Sequence, residues 1–132
     1  MTRAYARAFR PSPRLAMPQA SAAVFAVCAD TEAEAERLAR SRDLFIVRLY
    51  TGRAGPYPSV EEAERYPYSP RELAIVHHAR QRTVAGAPEQ VREQLLALAG
   101  EYGVDELVVV TITHDPGARL RSYELLAEVF EL

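Results

Sequence analysis

Apolar residues run without a break over 22–29 (AAVFAVCA), and again, interrupted by a single threonine, over 107–112 (LVVVTI). Neither run alternates with polar residues, so each reads as a strand buried on both faces. Between them the apolar spacing becomes helical. Thr31 and Glu34 form a capping box, in which hydroxyl and carboxylate satisfy free backbone donors at a helix start. Ala35, Leu38, Ala39, Phe45, Ile46 and Leu49 then predict one long helix reaching Tyr50, with Gly52 as its terminator. Arg42 interrupts that stripe, and a strand over 44–49 is the alternative.

Residues 52–81 are rich in loop signals, with Gly52, Gly55, Pro56, Pro58, Pro67 and Pro70 interleaved with Tyr57, Tyr66 and Tyr68. A capping box at Ser59 and Glu62 predicts a short helix over 60–65. Ser69, Pro70 and Glu72 start another that runs to about Arg80. A long, proline-rich segment between regular elements is more often a functional lid than a plain connection. Thr83, Val84 and Ala85 make a short extended piece. Pro88 opens a helix with its apolar stripe at Val91, Leu95, Leu98 and Tyr102, ended by Gly103. Asp115 and Pro116 cap a last helix, expected to bury Leu120, Tyr123, Ala127 and Phe130. At the start of the chain, Tyr5 and Phe9 suit one face of a short helix that the prolines at 11 and 13 end.

At 132 residues the chain is sized for a single domain, 1–132, with a real core. A net charge of -2 gives no electrostatic reason to expect nucleic acid or an anionic membrane, and no run approaches the ~18 apolar residues of a membrane span. Every basic residue is Arg, which excludes a Schiff-base lysine and a phosphate-loop lysine. Cys28 is the one cysteine, so no internal disulfide or cysteine-rich zinc site is open to the chain. It sits in an apolar run and reads as a small buried hydrophobe, which suits a reducing cytoplasm. Arg3, Arg7, Arg10 and Arg14 precede the first acidic residue, Asp30, in a composition like that of a transit peptide. Pro11, Pro13 and Pro18 break any long amphipathic helix there, so a short helix and an extended lead-in are expected.

Few residues offer chemistry. His114, after the second strand, is the one weak catalytic candidate, read as a proton shuttle or cofactor-facing group against a surface His beside the Asp115 cap. Asp30 and Thr31 read as caps. His77 and His78 are adjacent on a predicted helix and point about 100° apart, so they chelate poorly and no metal is expected. The helix start after Gly86 and Ala87 presents free backbone donors that suit a phosphate. No nucleophile–base pair, carboxylate dyad or glycine-rich dinucleotide turn is present.

The strand ending in ADTEAEA at 29–35, the helix closing on RLYTG at 48–52, PSVEEA at 58–63, GAPEQV at 86–91, DEL at 105–107 and RSYELLA at 121–127 together resemble the C-terminal part of the bacterial-luciferase-like, flavin-dependent monooxygenases. YARAFRPS at 5–12 fits the stretch preceding that region. Each motif alone is weak; their order and spacing are fairly specific.

The resemblance implies an α/β fold, a partial (β/α)8 TIM-barrel-like fragment with two to three parallel strands covered by helices. A complete barrel takes ~250 residues. By this alignment residues 22–29 are the seventh strand, 107–112 the eighth, and 52–81 a lid-like insertion over the active site. Intact members use FMN or a deazaflavin, with Arg48, Tyr50, Thr51, Arg53 and Tyr57 flanking the lid and Gly86 and Ala87 at the phosphate-binding turn as cofactor-side candidates. The strands that supply most flavin contacts are not in this stretch, so possibilities range from a chain without cofactor to a truncated, split or stand-alone form of the enzyme. Exposed edges of so small a parallel sheet associate. A homo-oligomer, or a partner chain supplying the missing strands, is therefore expected, with an interface above roughly 2,000 Å².

Overall fold

The computed structural model describes residues 2–132. Helix α1 (Thr2–Ala8) leads to strand β1 (Ser21–Cys28), helices α2 (Glu32–Tyr50), α3 (Val60–Arg65) and α4 (Pro70–Arg80), strand β2 (Thr83–Gly86), helix α5 (Pro88–Tyr102), strand β3 (Glu106–Val110) and helix α6 (Pro116–Phe130).

The helix boundaries follow local chemistry. Thr31 accepts a hydrogen bond from Glu34 N, and Ser59 from Glu62 N. Ser69 and Glu72 cap reciprocally at α4. The Asp115 carboxylate accepts from Gly117 N and Ala118 N. Gly103 ends α5 with φ 64, a left-handed conformation that a Cβ disfavours. Residues 44–49 are helical, the alternative strand being absent, because Leu44 and Val47 fall on one buried face three residues apart.

The three strands form one parallel sheet in the order β2-β1-β3. Phe25 to Cys28 of β1 register against Thr83 to Gly86, and Ser21 to Phe25 register on the other side against Glu106 to Val110. β1 and β3 are adjacent and parallel, and β2, which lies between them in sequence, pairs along the other edge of β1. Helices cover both faces of β1. Val24, Ala26 and Cys28 share one core with Val84, Val91, Leu95, Leu125 and Leu126, under α5 and α6. Val27 and Ala29 share a second with Ala35, Leu38 and Val60, under α2 and the start of α3.

Two expectations about burial are corrected. Strand β3 is covered on one face alone: Leu107 and Val109 pack on the α5–α6 core, while Val108, Val110 and Ile112 remain 47%, 40% and 42% exposed. Its apolar run matches a two-sided strand, but no described element lies over the second face or beyond its outer edge. On α6, Leu120 is 62% exposed and Tyr123 is exposed too; the buried row is Ser122, Leu125 and Leu126. That row begins on a serine, so a count of apolar positions misses it, although Phe130 does pack on the core and Ala127 is half-buried.

Residues 52–81 are largely helical and fastened to α2. Pro58, Val60 and Ala63 are buried, Glu62 pairs with Arg48 at 2.5 Å and Glu64 with Arg40 at 3.0 Å. Glu72, nearly buried, accepts from Ser69 N, Tyr66 Oη and Arg53 Nη2. These bonds hold its carboxyl down at about 2, the Ser69 amide contributing most.

Candidate functional site

Strands β1 and β3 pair only as far as Phe25 and Val110, and then part. Past that point α2 leaves β1 toward one face of the sheet and α6 leaves β3 toward the other. Open parallel sheets bind ligands at such a divergence, beyond the carboxyl ends of the strands. The fork exposes backbone groups that no strand partner satisfies, and side chains replace it. Ser122 Oγ accepts from Cys28 N at 2.9 Å, Thr111 Oγ1 donates to Ala26 O at 2.7 Å, and Tyr123 Oη accepts from Thr111 N at 3.1 Å.

The rim above the fork is polar. Arg121 Nη2 donates to Asp30 Oδ1 at 2.7 Å, and this hydrogen bond holds the Asp30 carboxyl below its ordinary range. Tyr57 Oη donates to Ile112 O at 3.0 Å. Burial pushes that phenol up to about 12, so it stays a neutral donor. Glu61 is held below its ordinary value mainly by a backbone N–H, then by Ser59, with smaller help from Arg37 and His114. Thr113 Oγ1 donates to Asp115 O at 2.6 Å, and Gln90 Nε2 to Glu32 Oε2 at 3.0 Å.

The fold gathers one group of the sequence candidates at this rim. Asp30, Thr31, Gly86, Ala87 and His114 all follow carboxyl ends of strands. His114 is exposed beside the Asp115 cap, within the field of Glu61. Asp30 is occupied by Arg121, and Thr31 caps α2. At the phosphate-binding turn Gln90 Oε1 already accepts from Ala87 N at 2.9 Å. The same side chain overhangs Gly86, where a Cβ would sit 2.9 Å from Gln90 Oε1. Arg48, Tyr50 and Thr51 belong elsewhere: they lie at the far end of α2, about 27 Å from Thr31 at 1.5 Å per residue. There Arg48 pairs with Glu62, Thr51 Oγ1 donates to Val47 O, and Tyr50 is 71% exposed. These cofactor-side candidates therefore do not converge on one cradle within this chain. Arg53 is held by Glu72.

Cys28 is buried, and desolvation followed by the Asp30 charge pushes its thiol up to about 11, which leaves it un-ionised and unreactive at neutral pH. His77 and His78 are both exposed on α4. Among the described residues no helix is long and apolar enough to cross a membrane.

Three cavities of about 660, 470 and 440 Å³ lie away from the fork rim. The second, between α2 and α4, is lined by Arg42, Tyr50, Arg71, His78 and Arg82 together with Ile46 and Ile75. Of these only Tyr50 was singled out as a site residue by sequence reasoning. A signal for Arg42 did exist: it is the one charge that breaks the apolar stripe of α2, and its guanidinium stacks over the Phe25 ring at 4.3 Å.

No family model matches the chain. The uncharacterized protein YceB of Bacillus subtilis (strain 168) is 41% identical over 128 residues, covering 97% of this chain and 39% of that protein. A luciferase-like monooxygenase of Escherichia coli (strain K12) is 32% identical over 128 residues, covering 96% of this chain and 38% of its own length. The crystal structure of apo-MsnO8 superposes with a TM-score of 0.85 at 37% sequence identity, over 99% of this chain and 40% of that one. The chain thus spans about two fifths of the length of the proteins it matches.

Proposed function

We propose that this chain, which fits the C-terminal portion of the luciferase-like monooxygenase family, supplies the closing strands and lid-side helices of a flavin-dependent monooxygenase barrel. The observation that carries the reading is strand β3. One face packs on α5 and α6 while Val108, Val110 and Ile112 stand 40% or more exposed, on a strand with a free outer edge. An open apolar face and a free edge on one strand call for further strands or a packed surface to cover them, as the remainder of a larger sheet would.

Intact enzymes of this kind use a reduced flavin, FMN or a deazaflavin, to activate oxygen toward an organic substrate. Within this chain Gly86, Ala87, Arg48, Tyr50 and Thr51 are divided between two ends of α2, so by themselves they do not form a flavin cradle. The chain's own residues shape the barrel mouth. The Asp30–Arg121 pair braces the β1 loop against α6, Tyr57 anchors the lid segment to the end of β3, and His114 stands exposed at the rim. Catalysis requires further strands, supplied by other parts of the polypeptide, a second copy or a partner chain. The alternative is a non-catalytic module of the same fold that buries the same face by self-association.

The two readings separate in one preparation of the 132-residue chain. Multi-angle light scattering is expected to show an oligomer that Val110→Lys reduces in mass, and titration with reduced FMN is expected to show no turnover of an aldehyde. Turnover by the isolated chain would overturn the need for added strands. A dilution-resistant monomer would overturn association through β3.

A further inference from the structure

We propose that the cavity of about 470 Å³ between α2 and α4 is a binding site for a phosphomonoester carried on a small apolar body. Its volume falls in the range of small-molecule sites, roughly 300–1,000 Å³. Arg42, Arg71 and Arg82 line it, with His78, and no carboxylate does. The guanidinium fork matches phosphate oxygens in two-pronged geometry. Ile46, Ala74, Ile75, Ala79 and the Tyr50 ring supply apolar wall for the body of the ligand.

The neighbouring acids are held by other cations and form no ion pair with these arginines, although the Asp43 charge acts on Arg42. Asp43 and Glu36 are taken by Arg80 at 2.7 and 2.9 Å, and Glu72 by Arg53 at 2.5 Å. Among the described residues Arg42, Arg71 and Arg82 enter no ion pair. Arg42 adds an independent observation: its Nη1 is buried and donates to no acceptor. A buried guanidinium donor without an acceptor is costly. The Phe25 ring at 4.3 Å holds the plane of this guanidinium, and an anion in the cavity meets the accessible part of Arg42 together with the exposed Arg71 and Arg82. Only α2, α4 and the turn after α4 build this cavity, so the site stands or falls separately from the barrel reading.

The test is calorimetric titration of the full chain with phenyl phosphate at low ionic strength, with inorganic phosphate and benzoate as comparison probes. Saturable one-site binding of phenyl phosphate is expected, at least about ten-fold tighter than either probe alone and weakening as sodium chloride rises. Arg71→Gln and Arg82→Gln change exposed side chains, and each is expected to weaken binding at least about five-fold with the circular dichroism unchanged. Arg42→Gln is expected to abolish binding; if that variant does not fold, the exposed pair decides. Absence of saturable heat, or undiminished affinity in the Arg71→Gln, Arg82→Gln double variant, would overturn the proposal. Equal affinity for benzoate would overturn the phosphate assignment.

Discussion

Replacing Ser122 with Ala tests how the strand fork is held. Ser122 is fully buried, and its Oγ lies 2.9 Å from the amide nitrogen of Cys28, itself 1% exposed. Beyond the last β1–β3 pair no strand can accept from that amide on this side. The variant leaves a buried N–H without an acceptor, which costs about 1–3 kcal/mol. Alanine is the better helix former by up to ~0.5 kcal/mol, so the net loss is about 0.5–2.5 kcal/mol. With a urea m-value of roughly 1–3 kcal/mol/M, the midpoint falls by about 0.2–2.5 M. Urea melts followed by far-UV circular dichroism, at one fixed protein concentration so that association does not shift the midpoint, measure it. Hydrogen exchange at the Cys28 amide supplies a local readout. Tyr123→Phe is the matched control. Its hydroxyl also accepts from a fork amide, Thr111 N at 3.1 Å, but the side chain is exposed and water replaces it, so the loss is expected below ~0.5 kcal/mol. If Ser122→Ala is as stable as the parent and the Cys28 amide stays protected, the account of the fork is wrong.

Three further outcomes follow from single positions. Glu72 has its carboxyl depressed to about 2 in the folded chain, so its stabilisation is present above the ordinary carboxylate pKa and fades as pH falls from ~4.5 toward 2. Glu72→Gln should therefore be less stable than the parent at pH 7 and indistinguishable from it near pH 2, as read by melting temperature across that range. Gly103→Ala, at φ 64, should cost about 1 kcal/mol in a urea melt, whereas Gly100→Ala, inside α5 with nothing within 4 Å of its Cβ position, should gain about 0.5–1 kcal/mol. Gly86→Ala should destabilise by about 1 kcal/mol through the Gln90 side chain, and a double-mutant cycle with Gln90→Ala should recover part of that loss.

Much of the candidate site was legible where local chemistry decides. The caps at Thr31, Ser59, Ser69 and Asp115 involve partners two or three residues away, so they can be read one residue type at a time. Asp30, Thr31 and His114 were singled out because they come after strands, and Gly86 and Ala87 because they precede the helix start at Pro88; parallel strands put all such segments at one end of a sheet. Arg121 was not, because its partner Asp30 lies 91 positions away. The α2–α4 cavity was missed for a similar reason: Arg42, Arg71 and Arg82 are scattered in the chain and meet only when two helices pack side by side.

The amino-acid order by itself determined the helices and the apolar strands, because periodicity and capping act over a few residues. Only the tertiary structure decided that β1 sits between its two partners, that α6 turns Ser122 inward with Leu125 and Leu126 while Leu120 stays outside, and that β3 keeps one apolar face open. Those outcomes depend on which surfaces compete for the same neighbour. That competition is settled by burial and by the satisfaction of backbone groups across the whole chain, not by any short stretch of it.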